Sequence, residues 1–398
     1  MLHYFFPYGA PHRRHISIFE GFFLPKPCLS IGRTNHMKIF LTLFPCCIFL
    51  FSCGHTPGAR PQDPTSFPYR REEVLINNTK SKDQLAGTLT IPSNGKVSKI
   101  VILITGSGPQ NRNEEIVNHR PFLVWSDWLT RNGIAVLRYD DRGVGKSTGN
   151  FSTATIFDFA DDVEAAVAFI RSRQDLNKLS IGLIGHSEGG VIAPIVASSN
   201  KDIRFIILLA GPGIPLYQLS LQTSANISRL EGMSDSAVNQ ALALNRKYFN
   251  LIMEGSNLST EQLKDQVDSM LYHEMLSRHW DKAKFNGWKQ RYEFLLTPRT
   301  RSFVKINPAD YLDKVKCPVL ALNGTKDIAV NCQTNLTGIS RALDQGGNKQ
   351  YKVVPLEGLN HLFQKANTGS EREYAQISET VNPIALTTVS NWINALSF

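Results

Sequence analysis

The sequence is poor in cysteine where a fold would use it. Of six cysteines in 398 residues, Cys28, Cys46, Cys47 and Cys53 crowd the N-terminal part, and only Cys317 and Cys332 fall in the body of the chain. A disulfide-stapled scaffold is excluded. The remaining two flank a strand expected over 317–324 and sit at its opposite ends, too far apart for a bridge. Two buried free thiols are expected. No block of Lys and Arg is present, so nucleic acid is not expected as a partner. No internal repeat appears. No grouping of His, Cys, Asp and Glu has metal-ligand spacing, and neither a metal nor another cofactor is expected. "YDDRGVGKS" (139–147) lacks phosphate-loop spacing, because only Gly143 and Gly145 precede Lys146. With 42% hydrophobic and 19% charged residues, the composition suits a globular protein. The length allows one large domain or two ordinary ones.

The N-terminal part needs separate treatment. From Met37, "MKIFLTLFPCCIFLFSC" has a lysine, an apolar run over 39–51, a small residue and Cys53. That is the layout of a secretory signal. The run is too short to span a bilayer as a helix. It also resembles a bacterial lipoprotein signal, with Leu50-Phe51-Ser52 before a lipidated Cys53; a plain secretory signal is the alternative. On this reading Met37 is the start, 1–36 is an upstream extension and 37–52 is the signal. Residues 53–68, with Pro57, Pro61, Pro64 and Pro68, form a stiff tether to a membrane. The expected location is the cell envelope. Residues 1–52 hold five Lys/Arg against one acid, so the rest keeps only five of the nine net positive charges.

From Tyr69 onward the pattern alternates. "EEVLINN" and "QLAGTLTIP" read as antiparallel strands. "KIVILIT" (99–105), "IAVLRYD" (134–140), "LSIGLIG", "IRFIILLA" (203–210), "CPVLALNG" (317–324) and "YKVVPL" (351–356) are short apolar runs. Such runs suit strands buried on both faces. Between them lie helical patterns, among them "FADDVEAAVAFIRSRQ" (159–174), with acids early and arginines late. The expected class is α/β, with a mostly parallel sheet flanked by helices over 69–398. Residues about 211–305 interrupt the rhythm and read as an inserted helical cap.

"GHSEGG" carries the chemistry. G-x-S-x-G arises by chance in about one chain of this length in ten. Here a buried strand leads in and a helix rich in small residues leads out, as a nucleophile elbow requires. Ser187 needs a base to take its proton. An acid after a late strand and a histidine after the last strand complete that architecture. Asp327 in "NGTKD" and His361 in "GLNHLF" stand there. Asp310 and Asp313 precede their strand, Glu357 shares the histidine's loop, and His186, His273 and His279 are less suited as the base. Two backbone N–H groups must hold an oxyanion. Glu188 supplies one. The other comes from "TGSGPQ", with Ser107 nominated and Gly106 or Gly108 as alternatives. The Glu188 side chain, favoured by the helix dipole, turns aside to a basic partner such as Arg142. Asp141 and Arg142 brace the loops around the site.

In order, "GSGPQNRNE", "DDRGVGKS", "GHSEGG", "CPVLALNGTKD" and "GLNHLF" resemble the α/β-hydrolase superfamily, over roughly Tyr69 to the C-terminus. They are most similar to an esterase branch near dienelactone-hydrolase-like and serine-aminopeptidase-like proteins. Thr105 departs from the histidine many relatives carry before the glycine. The resemblance implies a Ser187–Asp327–His361 triad, an acyl-enzyme, a small-molecule carboxylic ester as substrate and no cofactor. An aminopeptidase would need an acidic subsite, for which Glu274 and Glu293 are candidates. A non-catalytic binding lipoprotein is the third reading.

Overall fold

The structure, a computed structural model, describes residues 60–93 and 97–398. The expected upstream extension, the expected signal and Cys53 lie outside the described residues, as do 53–59 of the expected tether. Among the described residues no helix is long and apolar enough to cross a membrane.

Eight strands form one sheet: β1 (Arg70–Asn78), β2 (Asp83–Ile91), β3 (Lys99–Ile104), β4 (Ala135–Tyr139), β5 (Ser180–His186), β6 (Ile203–Leu209), β7 (Val319–Gly324) and β8 (Tyr351–Leu356). Their spatial order is β1-β2-β4-β3-β5-β6-β7-β8. β1 with β2 and β2 with β4 are antiparallel; every later pair is parallel. The continuous apolar runs have a direct cause. In β3, Ile100, Ile102 and Ile104 enter one core, and Val101 and Leu103 enter the other. Side chains alternate across a strand, so burial on both faces requires an apolar residue at every position. Each such side chain contributes about 1.5–3 kcal/mol.

Helices cover both faces. α1 (Pro121–Arg131) and the C-terminal helix Pro383–Ala395 cover one, through Trp125 and Val389. α2 (Ile156–Ser172), α3 (Gly189–Ala197) and, later in the chain, the helix Cys332–Gln345 cover the other. α2 begins at Ile156, not at 159 as the acid-rich pattern suggests. Thr155 caps it and exchanges hydrogen bonds with Asp158 in a capping box, which fixes the start one turn earlier.

After β6 the chain leaves the sheet for five helices, α4 (Leu216–Leu230), α5 (Asp235–Glu254), α6 (Thr260–Ser277), α7 (Lys282–Leu295) and α8 (Pro298–Lys305), and returns to β7 through the single turn Ala309–Leu312. Ser234, Ser259, Asp281 and Thr297 cap the last four through their side chains. A stack of Trp288, Tyr292 and Tyr248 joins α7 to α5.

Residues 60–68 are not a free tether. Arg60 donates to the carbonyls of Ile377 and Val117, both at 3.0 Å. Gln62 donates to Val381 O at 2.7 Å and accepts from the N–H groups of Thr380 and Val381. The sequence pattern of prolines marks extended chain. It carries no sign of these polar contacts, all but one of which reach about 320 residues ahead. Cys317 and Cys332 are free thiols on either side of β7; Cys332 is buried as expected, whereas Cys317 is partly exposed.

Candidate active site

β5 ends at His186 and α3 starts at Gly189, so the chain reverses over two residues. Ser187 takes a left-handed backbone, φ 53°, where a side chain is strained. Its N–H donates to Leu209 O at 2.9 Å, and its carbonyl accepts from Gly190 at 2.9 Å. The flanking glycines are obligatory. A Cβ on Gly185 would lie 2.0 Å from Gly189 O, and one on Gly189 would lie 2.2 Å from Ile104 O. Ser187 is thereby lifted to the C-terminal edge of the parallel sheet, where such folds place their sites.

Asp327 and His361 follow β7 and β8 on neighbouring loops. Lys326 N–H donates to Leu359 O at 2.9 Å, and Thr325 N–H to Leu356 O at 3.0 Å, which laces the two loops together. His361 Nδ1 lies 2.7 Å from Asp327 Oδ2. The other oxygen, Oδ1, accepts from the N–H groups of Ala329 and Val330, both at 2.8 Å. Three donors around one buried carboxylate fix its orientation. The bond to Asp327 places a proton on Nδ1 and leaves Nε2 as the lone-pair nitrogen of the ring.

The loop after β3 resolves one alternative. Gly106 N–H donates to Glu114 Oε1 at 2.7 Å and is consumed. Among the described residues, the N–H groups of Ser107 and Glu188 meet no protein acceptor. The Ser107 hydroxyl donates to Glu188 Oε2 at 2.6 Å.

The Glu188 carboxylate does not reach Arg142. That guanidinium is held by α2, with Nε on Asp162 Oδ2 at 2.8 Å and Nη2 on Asp158 O at 2.6 Å. Asp158 and Asp162 stand one turn apart on one face, which suits a guanidinium fork. Glu188 instead pairs with Arg299 of α8, whose Nη2 lies 2.7 Å from both carboxylate oxygens. Arg299 also stacks over Phe151 and Phe159, 4.6 and 4.9 Å from the ring centres. A cavity of about 10 Å³, room for one water, lies among Arg299, Glu188, Thr105 and Asp141. Asp141 accepts from Thr105 Oγ1 at 2.7 Å and from Gln110 N–H at 2.9 Å. Burial pushes its carboxyl up to about 8.

Beneath the elbow lies a second buried pair. His186 Nδ1 is 2.8 Å from Glu114 Oε1, and Nε2 is 3.0 Å from His361 O. Both ring nitrogens face acceptors, which calls for a doubly protonated ring. Burial opposes that charge, but Glu114 and the His361 carbonyl outweigh it, and the pKa is raised. Glu114 itself sits at φ 53°. This pair joins the elbow, the loop after β3 and the loop of His361. Sequence reasoning set His186 aside and gave no role to Glu114 or Arg299. The only local signal was an acid and a base left over beside the motifs.

A mostly parallel eight-stranded sheet, a tight strand-to-helix turn at Ser187 after β5 and an acid and a histidine on later loops match the α/β-hydrolase fold. The chain has this fold. The family model described as serine aminopeptidase, S33, matches residues 122–282. The esterase EstD of Thermotoga maritima is 27% identical over 301 residues, which cover 76% of this chain and 61% of that protein. The chain thus matches about three-fifths of that relative's length. The bifunctional esterase/perhydrolase DCH of Acinetobacter calcoaceticus is 23% identical over 233 residues, 56% of this chain and 77% of that protein. Among solved structures, hypothetical protein PA2218 of Pseudomonas aeruginosa superposes with a TM-score of 0.52 at 15% identity, covering 84% of this chain and 95% of that one.

Proposed function

We propose that the chain is a serine hydrolase that cleaves carboxylic esters through an acyl-enzyme on Ser187. The observation that carries the reading is the strained Ser187 elbow on the same sheet edge as the Asp327–His361 bond. His361 Nε2 takes the Ser187 proton as Oγ attacks the ester carbonyl. Asp327 holds the ring and stabilises the imidazolium. The N–H groups of Glu188 and Ser107 receive the oxyanion, each such donor being worth about 10²–10³ in rate. The alcohol leaves with the proton from His361, and water repeats the sequence on the acyl group. The esterase names of two relatives agree with this chemistry.

The family model's name raises the peptidase reading again. An aminopeptidase must offer a free carboxylate to the substrate ammonium. Glu274 is paired with Lys247 and Arg278, and Glu293 with Lys264 and Lys289. Neither is free for that task, which favours the ester. The test is a fluorophosphonate probe alongside short p-nitrophenyl esters and aminoacyl anilides. Labelling of the wild type, none of Ser187→Ala, and turnover of esters is the expected result. Equal labelling of Ser187→Ala removes the nucleophile, and turnover of anilides alone removes the esterase. The proposal includes anchoring in the cell envelope through a lipidated Cys53. Mass spectrometry of the mature N-terminus tests it, and an unmodified Cys53 overturns it.

A further inference from the structure

A second cavity, of about 600 Å³, opens behind the loop that carries Ser107. Its volume lies within the usual range for small-molecule sites. Residues 63–65 and Phe67 form one wall, β1 and β2 another, and Asn111–Asn113 and Arg138 of β4 line the rest. Arg138 is the anomaly. It is 2% exposed, yet among the described residues no carboxylate pairs with it. Its Nη1 donates to two neutral oxygens, Asn113 Oδ1 and Arg112 O, and its buried Nε donates to nothing. Burial, then the charges of Arg71 and Arg112, lowers its pKa to about 10. An uncompensated buried guanidinium costs several kcal/mol unless something supplies the missing charge.

The carboxylates of the cavity are already engaged. Arg112 takes both Asp140 oxygens, at 3.0 and 2.8 Å, and Glu73 at 2.6 Å. Arg71 reaches Glu73 only at 3.6 Å, and Arg120 reaches Asp63 only at 3.4 Å and Glu115, which lies outside the lining, only at 4.0 Å. Lys146 Nζ has no carboxylate partner among the described residues and is exposed at the rim. Five cations therefore face three acids, an excess of two charges. A dianion matches that excess, and guanidinium forks match the oxygens of a phosphoryl group.

We propose that this cavity binds a dianionic phosphate group, with Arg138 at its floor and Arg71, Arg120 and Lys146 around its mouth. The occupant is a soluble phosphomonoester or the phosphate head of a lipid, which share this chemistry. The site is separate from Ser187 and does not depend on the ester reading.

Isothermal titration of the full chain with inorganic phosphate, at fixed ionic strength, tests the site. The expected result is saturable binding, weakened about tenfold or more in Arg138→Gln. Lys146→Gln, on an exposed side chain that leaves the fold intact, is expected to weaken it severalfold. No saturable binding up to about 10 mM phosphate overturns the proposal. So does unchanged affinity in Lys146→Gln and Arg71→Gln together. Displacement of phosphate by glycerol phosphate supports a soluble occupant. Capture by phosphatidic acid vesicles and not by phosphatidylcholine vesicles, lost in Lys146→Gln, supports a lipid head.

Discussion

Ser187 holds its hydroxyl at the sheet edge at the cost of a left-handed backbone. That cost is about 1–2 kcal/mol for a residue with a Cβ. Ser187→Gly is expected to raise the unfolding free energy by up to about 1 kcal/mol, whereas Ser187→Ala keeps the strain and gains none of it. Both abolish probe labelling, and chemical denaturation separates them. Asp141 gives a pH signature. Its folded carboxyl titrates at about 8, while an unfolded aspartate titrates near 4. The folded state holds this proton more tightly, so the stabilisation is complete below the unfolded value. It declines as pH rises toward 8 and is then gone. Unfolding free energy should fall over that window by up to about 1.4 kcal/mol per pH unit from this group. In Asp141→Asn, whose amide can serve Thr105 and Gln110 as the neutral acid does, that component of the slope should vanish.

At the scale of elements, α8 is tied to the elbow by a buried ion pair. Glu188→Gln leaves the Arg299 guanidinium without its counter-charge and should cost about 3 kcal/mol in thermal or chemical unfolding. Arg299→Met in the same chain should restore part of the loss, and a double-mutant cycle reads the coupling. Folded Glu188→Gln still presents the backbone N–H and should still be acylated. The sheet strands and the elbow were legible in the sequence, because two-sided burial forces unbroken apolar runs and the turn demands glycine at 185 and 189. The loop positions of Asp327 and His361 followed from strand order alone. The start of α2 was read late, because the Thr155–Asp158 box lies before the apolar period begins. Arg299 was not legible as the partner of Glu188. The two stand 111 residues apart, and nothing local distinguishes Arg299 from any helix-surface arginine.

At the scale of the molecule, the segment before β1 belongs to the folded unit. A chain beginning at Tyr69 loses the bonds of Arg60 and Gln62 to residues 375–381 and 117. It should unfold about 2 kcal/mol more easily than one beginning at Ala59, as a denaturant midpoint would report. The hydrogen bond from His186 to the carbonyl of His361 has a further consequence. It ties the loop of His361 to the elbow through a ring whose pKa is raised by the acceptors on both of its nitrogens. Acylation should fall at high pH as His186 loses its proton and releases its hold. The alkaline limb of the rate profile would then belong to a residue that never touches the substrate. Stopped-flow acylation across pH, with Glu114→Gln moving that limb to lower pH, would reveal it.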